Sequence, residues 1–239
     1  MSERSQVDPI TSEHLLEVRF KPNPRVLDLR GAWVQEIADQ MDMREWGIVE
    51  NRLDVFDSDE KRRAFVSFQN FGFLARDCPT TNYFPDHANK FLRIVTRLEE
   101  FGANLWVARI GMRARFCTPY DGTFDQLRAR FLQRYVGLSE SALDAIGREA
   151  KVLDIGAHLN FVDQYGNFNT MCGPMVRAQI DSLFPKVGGF PDVGLYYDID
   201  YWLKPERELD TRELPSQVTK FSSQAWQRHE RICRLILEG

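Results

Sequence analysis

Leu105-Trp106-Val107-Ala108-Arg109-Ile110-Gly111-Met112-Arg113-Ala114-Arg115-Phe116 alternates with a period of two. Ala108, Ile110, Met112, Ala114 and Phe116 form an apolar row, and Arg109, Gly111, Arg113 and Arg115 a polar one. Successive side chains on a strand point to opposite faces, so this segment is expected to be a strand with one buried and one polar face. The three arginines share the polar face, about 7–14 Å apart along the strand.

Upstream, His14–Phe20 alternates in the same way, with Leu16, Val18 and Phe20 against Glu17 and Arg19. Asn23-Pro24 supplies a cap and a helix-starting proline. Val26, Leu29, Trp33, Ile37 and Met41 then recur at helical spacing. Strands are expected over 46–56 and 63–75, joined by a turn at Asp57-Ser58-Asp59. Pro85 opens a second helix with Ala88, Phe91, Val95 and Leu98 on one face, and Gly102 stops it. With the arginine strand closing the series, residues 1–119 read β-α-β-β-α-β, the ferredoxin-like pattern.

Downstream, Thr123-x-x-Gln126 is a capping box for a helix carrying Phe124, Leu127, Phe131 and Tyr135. A short helix follows from Ser139. Strands are expected over 151–163 and 168–172, with a turn at Tyr165-Gly166-Asn167. Pro174 is expected to start a helix with Val176, Ile180 and Leu183 facing in. A strand over 191–203 and a helix over 216–237 complete the chain, the helix carrying Phe221, Ala225, Trp226, Ile232 and Ile236. Residues 120–239 thus read α-β-β-α-β-α, a permuted counterpart of the first half with no visible sequence repeat. The expected fold is α+β: two ferredoxin-like halves in one body, with helices covering one face of antiparallel sheet.

Other strands repeat the polar row. In 151–161, Asp154, Gly156, His158 and Asn160 oppose Leu153, Ile155, Ala157, Leu159 and Phe161. In 193–203, Gly194, Tyr196, Asp198, Asp200 and Trp202 oppose Val193, Leu195, Tyr197, Ile199, Tyr201 and Leu203. Glu50, Arg52 and Asp54 add charge to the second strand. One account is a solvated face laced with cross-strand ion pairs. The other is a ligand-binding face formed where these rows converge. Its candidates are Arg19, Glu17, Arg109, Arg113, Arg115, Asp154, His158, Asp198 and Asp200. Arginines there would hold phosphate or carboxylate by bidentate hydrogen bonds. Gly111 would leave room for a ligand or a backbone, and Gly156 and Gly194 recur on the corresponding faces.

Composition bounds the partners. The chain has 239 residues, 43% hydrophobic and 12% aromatic, enough for a packed core and too apolar for disorder. A net charge of -4 argues against a nucleic-acid coat, which needs a basic field. The charge is uneven: residues 109–134 carry six arginines against Asp121 and Asp125, or +4, leaving -8 elsewhere. Such a segment suits an anionic ligand, an acidic partner, or attraction between the halves. No apolar run reaches the ~20 residues of a membrane span, and Met1–Pro9 lacks the apolar core of a signal peptide, so the expected location is the cytoplasm.

Catalytic signatures are few. Cys78, Cys117, Cys172 and Cys233 form no C-x-x-C and are expected as free, mostly buried thiols. His229 and Cys233 share a helix face, but no second pair follows at zinc spacing. Gly188-Gly189-Phe190-Pro191 leads into a strand, whereas a phosphate loop feeds a helix. Phe65, Phe71 and Phe73 face opposite Phe68, unlike a continuous base-stacking row. No catalytic residue, metal or cofactor is therefore assigned.

Three patches together resemble a known family. They are Leu15-Leu16-Glu17-Val18-Arg19-Phe20 followed by Pro22 and Pro24, then Arg109-Ile110-Gly111-Met112-Arg113, then Tyr197-Asp198-Ile199-Asp200 before a long C-terminal helix. The order and spacing resemble a sporadically distributed bacterial family of uncharacterised proteins. Its members open with a Glu-Val-x-Phe strand and carry an Arg-Ile-Gly-x-Arg-Tyr strand. Ala114 departs from the aromatic usual there. The resemblance implies no established activity, and the patchy distribution implies mobile or defence-associated genes. The expectation is a non-enzymatic binding or accessory module with a protein partner or an anionic ligand. Two alternatives stand beside it: an RNA or nucleotide handler built on paired ferredoxin-like halves, and a degenerate triphosphate-binding tunnel. The tunnel reading lacks the first Glu of its Glu-x-Glu-x-Lys strand, where Leu15-x-Glu17-x-Arg19 stands.

Overall fold

A computed structural model describes residues 10–97, 101, 104–147, 151–185 and 190–238. In chain order the elements are β1 (Thr11–Phe20), α1 (Arg25–Met41), β2 (Glu45–Val49), β3 (Arg52–Phe56), β4 (Arg62–Val66), β5 (Asn70–Arg76), α2 (Tyr83–Arg97) and β6 (Asn104–Pro119). They continue as α3 (Phe124–Phe131), α4 (Glu140–Ile146), β7 (Ala157–Asp163), β8 (Gly166–Val176), α5 (Arg177–Leu183), β9 (Val193–Leu203), β10 (Arg207–Asp210) and α6 (Leu214–Cys233). Ten strands form one antiparallel sheet in the order β2-β3-β4-β5-β1-β6-β9-β8-β7, with β10 also on β6. The architecture is α+β.

Local sequence explains the elements. β1 buries Leu16, Val18 and Phe20, as its alternation requires. Asn23 Oδ1 accepts from the Arg25 amide at 3.0 Å just ahead of α1, whose N-cap is Pro24 and whose buried stripe is Val26, Leu29, Trp33, Ile37 and Met41. The α3 capping box forms in both directions between Thr123 and Gln126. Ser139 caps α4 by accepting from the Ala142 amide.

Several boundaries differ from expectation. The two strands read over 46–56 and 63–75 are four. Glu50-Asn51 makes a two-residue turn inside the first, and Ser67-Phe68-Gln69 a turn inside the second. Ser67 holds that second turn through bonds to Asn70. Residues 151–156 carry no strand; β7 starts only at Ala157. Ile155 O lies 2.7 Å from where a Gly173 Cβ would sit, so the chain enters β7 across a position that only glycine leaves open. Pro174 does not open a helix: it stays in β8 opposite Leu195, and α5 begins three residues later with Ile180 buried and Val176 exposed. β10 continues the path of β9 beside β6. Leu203 faces Ile110 and Arg207 faces Val107, so three residues oppose two, a bulge with Glu206 at φ 51°. Met1–Pro9, Leu98, Gly102 and the Gly188-Gly189 turn lie outside the described residues.

The core lies between the sheet and α1, α2, α3 and α6. Trp33, Phe71, Phe73, Phe84, Phe91, Phe116, Phe131, Tyr201 and Phe221 are fully buried there. Helices are not confined to that face. α5 and Phe190 pack on the opposite side against Cys117 and Tyr196, where Gly194 admits the Cys117 sulfur. The sheet ends in two strands, β2 and β7, with no neighbour on their outer edges among the described residues. Among the described residues the sheet is open. No described helix is long and apolar enough to cross a membrane.

Candidate functional site

Strand register brings the polar rows onto one face of the sheet. Arg113 faces Asp200 and Arg115 faces Asp198. Asn169 and Met171 of β8 face Asp200 and Asp198. On the other side of β6, Glu13, Glu17 and Arg19 face Arg115, Gly111 and Arg109. Opposed residues in an antiparallel pair project to the same side, so these rows form one surface.

The surface is a lattice of ion pairs. Arg113 donates from Nε to Asp198 Oδ1 at 2.9 Å and also from Nη2, and the Tyr196 hydroxyl donates to the same carboxylate at 3.1 Å. Arg109 bonds Asp200 at 3.1 Å and lies 3.8 Å from Glu17. Glu17 also accepts from Arg19 at 2.8 Å and from Asn70 Nδ2 at 2.8 Å. Glu13 accepts from Arg115 and, at 2.9 Å, from Arg76. Farther along the face, Arg52 bonds Asp54 at 2.8 Å and lies over the Phe65 ring.

Depth separates the two signs. The side chains of Asp198 and Glu13 are 7% and 6% exposed, while those of Arg113 and Arg19 are 46% and 53% exposed. Arg113, Arg19 and Arg115 therefore lie outside the carboxylates they bind, whereas Arg109 and Asp200 sit at similar depth. The Arg113 guanidinium is held more firmly protonated than usual by its bond to Asp198, against the cost of burial. Burial would raise the Glu17 carboxyl, but its bonds to Arg19 and Asn70 and the charge of Arg109 outweigh it and hold it below its ordinary value. Asp200 is raised, because burial exceeds the pull of Arg109 and Arg113.

Gly111 does leave room, but for this protein's own side chain. A Cβ there would lie 3.3 Å from the Arg109 guanidinium carbon. Arg109 folds back across Gly111 toward the Trp202 ring, 5.8 Å from its centre.

Two expected members lie elsewhere. Asp154 is exposed outside any strand, and its carboxylate accepts only from the Ile155 amide among the described bonds. His158 projects to the right face but stands at the sheet edge, with Met171 between it and Asp198. The +4 segment is also divided. Arg128, Arg130 and Arg134 donate to the carbonyls of Leu153, Leu237 and Ile236, away from the lattice. Glu13, Asn70 and Arg76 join the site although sequence reasoning passed over them. Extending the β1 alternation two residues upstream of Leu15 would have found Glu13.

A second polar cluster lies inside the core. His229 Nε2 is 2.8 Å from Thr118 Oγ1 and 3.3 Å from the Cys233 sulfur. His14 stacks between Phe84 and Trp226 and meets Phe116 edge-on. Burial lowers both histidines to about 3, with the charge of His229 adding to the effect on His14. Burial raises the Cys233 thiol to about 11 and Cys78 to about 12, which keeps both protonated and poorly nucleophilic. No group of three or more His, Cys, Asp or Glu among the described residues could hold a metal ion.

Cavities of about 330 and 400 Å³ open beside α6, where Leu203, Gln217 and Lys220 line both. Neither touches the arginine lattice. No protein-family model matches the chain, and no curated protein matches it. The site's own chemistry is that of fixed guanidiniums, each spending part of its five-donor fork on a carboxylate.

Proposed function

We propose that this protein is a non-enzymatic binding module whose arginine-bearing sheet face holds an acidic patch of a partner protein. The observation that carries the reading is the layering at Arg113 and Arg19, exposed guanidiniums bonded to the more deeply placed Asp198 and Glu17, on the face where α5 packs against Cys117 and Tyr196. Arginines held this way lose little freedom on binding. The two cavities beside α6 do not include this face, which suits another macromolecule better than a small ligand in a closed pocket. Interleaved Asp200 and Glu17 disfavour a continuous phosphate chain, as does the net charge of -4. A folded acidic surface can instead set carboxylates against individual arginines.

The fold and family readings belong to the same proposal. The order β6-β1-β5-β4, with α1 and α2 as its connections, supports a ferredoxin-like first half with β2 and β3 as an added hairpin. The second half, where β7, β8 and β9 pair in succession, extends that sheet. Kinship with the sporadic bacterial family, and association with defence or mobile genes, rest on the three sequence patches. A bacterial cytoplasm is the setting.

The test is a fluorescence titration of the protein with a labelled polyglutamate peptide and with single-stranded RNA of equal length. The peptide should bind, weaken with salt, and weaken again with Arg19→Gln and with Arg113→Gln. Arg19→Gln leaves Glu17 bonded to Asn70 and close to Arg109, so it tests binding without unpairing a buried charge. No peptide binding, or binding indifferent to both substitutions, would contradict the proposal. Tighter binding of the RNA would favour the nucleic-acid alternative.

A further inference from the structure

β2 is a free sheet edge with an apolar surface. Trp46, Ile48 and Val49 are 58%, 48% and 64% exposed. Natural edge strands are usually guarded by inward charges, prolines or covering elements. Among the described residues nothing pairs with the outer side of this strand.

We propose that two copies of the chain join through β2, antiparallel and centred on Gly47, to form one continuous sheet across a two-fold axis. Backbone phase comes first. Val49 and Arg52 close a two-residue turn, so they form a hydrogen-bonded pair. By alternation Glu45, Gly47 and Val49 spend their backbone groups on β3, while Trp46 and Ile48 point theirs outward. Pairing about Gly47 sets Trp46 of one copy opposite Ile48 of the other. Both outward donors and both outward acceptors of each strand are then satisfied.

Side chains agree with that register. Trp46 and Ile48 sit beside Val55 and Leu53, so they lie on the helix-covered side of the sheet. Two copies would bring four apolar side chains together there, bridging the two cores. Carried one residue past each end of β2, the same register sets Arg44, which also pairs with Asp42 at 2.9 Å, opposite the turn residue Glu50. Moving the axis to Trp46 sets Arg44 against Ile48, and moving it to Ile48 sets Glu50 against Trp46. Only the Gly47 axis matches charge with charge. Gly47 has no heavy atom within 4 Å of a Cβ position, so the axis meets no obstruction from its own chain. The other free edge has no such match: pairing β7 about Asn160 sets His158 against Val162.

The interface is small, so the dimer belongs to the weak, exchanging class and should form with rising concentration. Sedimentation velocity across a concentration series measures it. Arg44→Glu should raise the dissociation constant about tenfold, and adding Glu50→Arg should restore it. Gly47→Cys places two sulfurs at the axis, in a non-hydrogen-bonded pair with Cα atoms about 4.5 Å apart. Mild oxidation should cross-link that variant and not the parent, whose Cys78, Cys117 and Cys172 are buried and whose half-buried Cys233 on α6 is tied to Thr118 and His229. A chain that stays monomeric throughout, or a Gly47→Cys variant that fails to cross-link where the parent dimerises, would overturn the proposal.

Discussion

Arg113 reaches diagonally across the β6–β9 ladder to Asp198, although the residue directly opposite it is Asp200. Asp200 is thereby left to Arg109, and Arg115, directly opposite Asp198, turns to Glu13 on β1. The weave ties three adjacent strands together by side chains as well as by the backbone ladder.

Removing the exposed member of a layered pair should cost stability according to what it strands below. Arg113→Ala leaves the buried Asp198 carboxylate with only the Tyr196 hydroxyl, and should destabilise by about 1–3 kcal/mol, discounted for the half-exposed arginine. Arg19→Ala leaves Glu17 bonded to Asn70 and should cost under about 1 kcal/mol. Urea unfolding of both variants measures the difference; equal losses would refute the layering.

Gly111 is expected to be intolerant of a branched side chain. Gly111→Val would occupy the space of the Arg109 guanidinium and push it off Asp200 and Glu17. A loss of about 1–3 kcal/mol is expected, as for overpacking elsewhere. A variant as stable as the parent would show that Arg109 is not held across Gly111.

Acid should unfold the protein through its core histidines. Both have folded values depressed from 6.5 to about 3, so the unfolded chain takes up protons first as pH falls. Their stabilising contribution is full above about 6.5 and is lost progressively toward 3, by up to about 1.4 kcal/mol per pH unit for each. Glu17, also depressed, adds to the loss below its ordinary range, whereas Asp200, raised, opposes it. His14→Phe should fold, because the His14 ring already packs among Phe84, Phe116 and Trp226. It should roughly halve the slope of urea midpoint against pH. A flat profile in the parent between pH 6.5 and 4 would contradict this.

Period-two segregation made β1, β6 and β9 and the face of each charge legible in the sequence, because one side of those strands is buried. The same segregation pointed to Arg109, Arg113, Arg115, Asp198 and Asp200. It failed where another force placed the chain. Asp154 shares the parity of its neighbours, yet the segment crosses Gly173 outside the ladder. Pro174 looks like a helix start, yet as a β8 residue it faces Leu195. Gly111 suggested room for a ligand or a backbone, yet the group beside it is the Arg109 guanidinium. The vertical order of guanidinium over carboxylate depends on side-chain reach across three strands, which no linear pattern records.

The most direct test of the arginine face is an amide chemical-shift titration of the isotope-labelled protein with the polyglutamate peptide. Shifts should concentrate on the polar rows of β1, β6 and β9, around Arg19, Arg109, Arg113 and Asp198, with α1, α2 and α6 unmoved. Shifts confined to the helical side, or to the cavities beside Lys220, would contradict the claim that this face is the working surface.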